Sequence, residues 1–91
     1  MSNTRTREEV LELTCRVYWD YHKQYFLENE QGNWVWQNPE FGGNNTLVPY
    51  RGSYPEFLKD STRLWAGFEC QFLGSQKIGE LVPETVLVLL N

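Results

Sequence analysis

Leu11-Glu12-Leu13-Thr14-Cys15-Arg16-Val17-Tyr18-Trp19-Asp20-Tyr21-His22 is the stretch on which the reading of the fold turns. Every odd position from Leu11 to Tyr21 is apolar, while the even positions carry Glu12, Thr14, Arg16, Tyr18, Asp20 and His22. A period of two is the signature of a half-buried strand. The helical template through Val10, Leu13, Thr14, Val17, Asp20, Tyr21 and Gln24 is the poorer match, and Thr14 to Tyr21 is rich in β-branched and aromatic side chains. The rival is one continuous helix from residue 6 to about 27, since no Gly or Pro interrupts the chain before Gly32.

Working upstream, Thr6 followed three positions later by Glu9 forms a capping box, and Glu8 and Glu9 lie where a helix dipole favours negative charge. A short helix therefore starts near residue 6 and gives way to the strand.

Downstream, Tyr25–Leu27 and Trp34–Trp36 flank a polar, Gly32-containing stretch with the composition of a hairpin loop. Residues 37–54, with Pro39, Gly42, Gly43, Pro49 and Gly52, predict a long loop of the kind that is functional or mobile. Ser53 to Glu56 opens a second helix of a turn or two, with Pro55 in its first turn. Arg63–Leu73 alternates as a strand, Gly74–Pro83 reads as a connection, and Thr85–Leu90 is a short apolar run suited to a strand covered on both faces.

These segments predict a single α+β domain over residues 1–91, with an N-terminal helix packed on a small antiparallel sheet of three to five strands. The alternative is a mainly β arrangement with short helices.

The formal net charge of −4 leaves little drive for binding phosphate backbones, so nucleic acid is excluded as a partner. No basic residue lies between Lys23 and Arg51, where Glu28, Glu30 and Glu40 stand together, so a basic protein partner is tolerated there. The polar first residues carry no leader, and Val86–Leu90 is too short to cross a bilayer. The expectation is a cytoplasmic protein away from membranes, with Cys15 and Cys70 as reduced thiols.

The chemistry-bearing residues are sparse. His22 and Asp20 resemble a base with its orienting carboxylate, but on a strand Cys15 points to the opposite face, so no nucleophile joins them. One His and two widely separated Cys do not make a zinc site, and the carboxylates lack calcium spacing. Neither a metal nor a cofactor is expected.

What stands out is aromatic content, 15% of the chain. Trp34, Trp36, Phe41, Tyr50 and Tyr54, with Glu40, mark an acidic, aromatic surface of the kind that meets another protein. The competing assignment places Trp34 and Trp36 in the core of the sheet, although Val35 and Trp36 cannot both point inward. On these residues the chain reads as a non-catalytic protein-binding adaptor, regulator or accessory subunit. The alternative is a ligand-binding protein or enzyme with a pocket under loop 37–54, using His22, Tyr50 and Arg51 as its polar groups.

Overall fold

The computed structural model describes residues 5–20, 24–64 and 70–89, with no side-chain description for residues 61–64. The short helix α1 (Arg7–Leu11) begins at Thr6, whose hydroxyl accepts from the Glu9 amide at 3.1 Å while the Glu9 carboxylate accepts from the Thr6 amide at 3.1 Å. These bonds hold the Glu9 carboxyl below its ordinary range, the backbone bond from Thr6 being the largest cause.

Only two residues separate α1 from strand β1 (Thr14–Trp19), so the period-two reading wins over the continuous helix. Strands β2 (Gln24–Asn29) and β3 (Gly32–Gln37) form the hairpin in register, with Leu27 opposite Trp34 and Asn29 opposite Gly32. Its turn is tighter than the composition suggests.

Among the described residues six strands, not three to five, make the sheet, in the order β5-β1-β2-β3-β4-β6. Two of them come from segments read as loop or connection. Strand β4 (Thr46–Tyr50) lies inside the expected loop 37–54 despite Pro49. Pro49 is tolerated because β6 pairs with β4 only at Thr46 and Leu47, so at Pro49 the strand is an edge and its missing amide leaves no ladder bond unmade.

Strand β5 (Gln71–Lys77) begins near the end of the predicted Arg63–Leu73 strand and runs through Gly74. Gly74 is not a terminator here. Its φ of 103° serves a bulge, where Val17 faces Gly74 but Tyr18 faces Phe72 and Leu73 is the extra residue.

The helix opened by Ser53 runs three turns rather than one or two, as α2 (Tyr54–Leu64), taking up the first part of the segment read as a strand. Part of the expected connection 74–83 is α3 (Ile78–Leu81). The C-terminal apolar run is a two-residue edge strand, β6 (Leu87–Val88), parallel to β4, so the sheet is mixed rather than antiparallel. Leu87 and Leu89 are exposed, which corrects the expectation of a strand covered on both faces.

Helices cover both faces of the sheet. On one face Cys15, Val17, Leu27, Trp34, Trp36 and Leu47 pack beneath Val10 of α1, Ile78 of α3 and the following Val82 and Val86. On the other, Tyr18, Phe26 and Val35 pack beneath Phe57 of α2, with Val48, Tyr50, Tyr54 and Cys70 around them. Val35 and Trp36, 8% and 4% exposed, are therefore both buried although they point in opposite directions. The second helix layer takes up much of the aromatic content.

Candidate functional site

An aromatic-lined feature lies on the face covered by α1 and α3, where the strap after β3 meets the end of α3 and the segment after it. Asn38 is nearly buried at 6% exposure and its side-chain oxygen accepts from the Glu40 amide at 2.9 Å, starting a 3₁₀ turn at Pro39–Phe41. Gly42, at φ 90°, ends that turn, and the Gly43 amide donates back to the Asn38 carbonyl at 3.0 Å. Asn45, at φ 55°, donates its amide to Gln37 at 2.9 Å, while its side-chain oxygen accepts from Trp36 Nε1 at 3.0 Å. The stretch expected to be functional or mobile is thus tied at each step to its own backbone and to the core.

The strap forms one wall of an open groove of about 340 Å³. Tyr25 and Trp36 line it, their ring centroids 5.2 Å apart. Pro39 and Glu40 line it from the strap, Leu81 from the end of α3 and Pro83 from the segment after it. The aromatic array continues beyond, since Trp19 lies 6.4 Å from Tyr25 and 5.4 Å from Phe41.

The same C-terminal segment forms a second concavity, about 550 Å³, against α1. Glu8, Glu12, Glu80 and Glu84 line it, opposed by Arg7 and Lys77. Lys77 lies 3.5 Å from the Glu12 carboxylate, and its amide donates to Glu80 at 3.2 Å. Acid therefore predominates in this second concavity, and Glu40 is the charged residue lining the first.

Of the residues singled out in the sequence, the structure brings Trp36, Glu40 and Phe41 to this region. Trp34 is on the same face of the sheet but 4% exposed within the core, as is Trp36 apart from its groove-lining edge. Tyr50 and Tyr54 belong to the opposite face. Tyr50 packs edge-on to Phe26 and Phe57 and its hydroxyl donates to Asp60 at 3.3 Å, while Tyr54 stacks on Tyr18 at 4.1 Å. Burial raises both phenols above their ordinary range, with Asp60 adding to the effect at Tyr50 and Cys70 at Tyr54.

Of the polar trio of the ligand-binding alternative, Tyr50 is engaged as above, Arg51 is exposed just after β4, and His22 lies outside the described residues. Tyr25, Leu81, Pro83, Glu80 and Glu84 were not read as site residues. Only the fold sets Leu81 and Pro83 beside the strap and Glu80 and Glu84 beside α1.

Reactive chemistry is scant among the described residues. No group of three His, Cys, Asp or Glu is placed to hold a metal ion. Cys15 is buried, which pushes its thiol up to about 12 and keeps it a protonated apolar side chain. Neither Cys15 nor Cys70 is in a disulfide. No helix of the described residues is long and apolar enough to cross a membrane. No protein-family model matches the chain, and no match was found among curated proteins or solved structures.

Proposed function

We propose that this chain is a non-catalytic protein-binding module, an adaptor, regulator or accessory subunit, that receives a basic segment of a partner on the groove between the strap and the segment after α3. The observation that supports it most is a built aromatic and proline groove with a carboxylate in its wall: Tyr25 and Trp36 with Pro39 and Pro83, Glu40 lining the groove from the strap, and Glu80 and Glu84 lining the neighbouring concavity.

Aromatic rings supply large contact area at little entropic cost, and a cationic side chain gains both from ring faces and from nearby carboxylates. The rim carboxylates would act chiefly on association rate and partner choice. This reading moves the partner surface away from Tyr50 and Tyr54, which are engaged on the other face, and keeps Trp36, Glu40 and Phe41.

The test is affinity capture from the native host with identification of the partner, followed by titration of that partner against variants. Tyr25→Ala should weaken binding at least tenfold, and Glu40→Lys with Glu84→Lys should weaken it and flatten its salt dependence. A partner that binds both variants as well as the parent would dispose of the groove as its docking place.

A further inference from the structure

We infer that the outer edge of β5 is a self-association surface, on which two copies of the chain pair β5 against β5 antiparallel about a two-fold axis at Ser75. Among the described residues strand β5 is the last of the sheet on its side, and its seven residues offer an edge roughly 24 Å long.

The direction of the free amides follows from the ladder. The Ile78 amide donates to the Leu13 carbonyl at 2.9 Å, and Gln76 and Gly74 face Cys15 and Val17 in the same register. In an antiparallel ladder alternate residues bond to the same neighbour, so Gln76 and Gly74 turn their amides to β1 and Lys77 and Ser75 turn theirs outward.

That edge is only lightly blunted. The bulge at Leu73 and the lysine at its end guard it in part, but from Gln71 to Lys77 it holds no proline and no carboxylate, and its one charge is Lys77. Phe72 and Leu73 are 53% and 41% exposed. The bulge at Leu73 shortens the regular run but leaves Ser75 to Lys77 straight.

The occupant is a second copy because the edge complements itself. With Ser75 on the axis, its amide and carbonyl exchange bonds with those of the other Ser75, and Lys77 falls opposite Leu73 of the second copy. The two ammonium groups are then never face to face, and the exposed leucine is covered by a lysine stem. A chain of net charge −4 repels its own kind over most of its surface, and this carboxylate-free strand offers a place where that repulsion is small. The other sheet edge is poorer, since β6 pairs over only two residues. Two-fold pairing closes on itself, so the product is a dimer and not a fibre. A single strand pair falls short of the ~800 Å² per partner of a standard interface, so the dimer belongs with the weak, transient associations.

Sedimentation velocity of the full chain from about 5 µM to 1 mM decides the matter across that weak-interface range. The expected result is a monomer–dimer equilibrium that Ser75→Pro and Leu73→Lys each weaken at least tenfold, the second by setting like charges opposite one another. Leu73→Glu should retain or tighten the dimer by facing Lys77, and Leu87→Lys on the far edge should leave it unchanged. Should Ser75→Pro fail to fold by circular dichroism, the opposite responses to Lys and Glu at position 73 remain decisive. A monomer throughout, a dimer indifferent to both position-73 variants, or open-ended oligomers would each overturn the inference.

Discussion

Removing the ring of Phe57 tests whether the second helix layer holds the sheet as described. Phe57 is 4% exposed and stacks on Phe26 with centroids 4.6 Å apart and planes at 26°, while Tyr50 meets it edge-on at 5.8 Å. Phe26 is 0% exposed in the central strand β2, so its ring cannot swing out to fill the space. A large aromatic truncated where neighbours cannot collapse costs about 3–5 kcal/mol, and the upper half applies because two ring contacts go with it.

Phe57→Ala should therefore lower the urea midpoint by about 3 M or more at a typical m-value near 1 kcal/mol per molar. Phe57→Leu, which refills most of the volume, should cost about 1–2 kcal/mol. The assay is equilibrium unfolding followed by both far-UV circular dichroism and tryptophan fluorescence. Trp34 and Trp36 lie on the opposite face, so coincident transitions show both layers unfolding together. A loss below about 1 kcal/mol, the range of surface changes, would mean that α2 does not rest on the sheet and that the two-sided core is wrong.

Gly43→Ala should destabilise the strap by about 2 kcal/mol or more by urea unfolding, because a Cβ there would lie 2.5 Å from the Gln37 carbonyl carbon and 2.6 Å from its oxygen, both backbone atoms. Thr6→Ala should cost about 1 kcal/mol through loss of the α1 cap, read as a lowered midpoint with unchanged m-value. With Ellman's reagent at pH 8, the native chain should expose Cys70, which is half-buried, well before the buried Cys15, and urea should equalise the two; equal native rates would refute the burial of Cys15. Stability should also fall as pH rises past 9, since the Cys15 thiol ionises near its ordinary 9.0 when unfolded but only at about 12 when folded, so the unfolded chain holds fewer protons in that window. Tyr50 and Tyr54, both raised by burial, add to the same loss at higher pH, and Cys15→Ala should shallow its first part in midpoints measured from pH 7 to 10.

What the sequence by itself determined was local. The Thr6–Glu9 cap, the Thr14–Trp19 strand and the β2–β3 hairpin rest on hydrogen bonds and alternation within a few residues, and each is in place. The tertiary structure decided whatever depended on what lies across the sheet. Alternation says that Val35 and Trp36 face opposite ways, but only α2 on one side and α3 with its following segment on the other make both of them core. Pro49 and Gly74 read as breakers because local propensity charges them against a strand. One sits where the strand has no partner beyond it and the other absorbs a bulge, and neither circumstance is local. The groove follows the same division: Trp36, Glu40 and Phe41 were legible as an aromatic, acidic stretch, whereas Leu81 and Pro83 reach it only because α3 returns the chain across the sheet face some forty residues later. Burial is a property of the assembled layers, so a one-dimensional pattern can name the faces of a strand without saying which of them meets water.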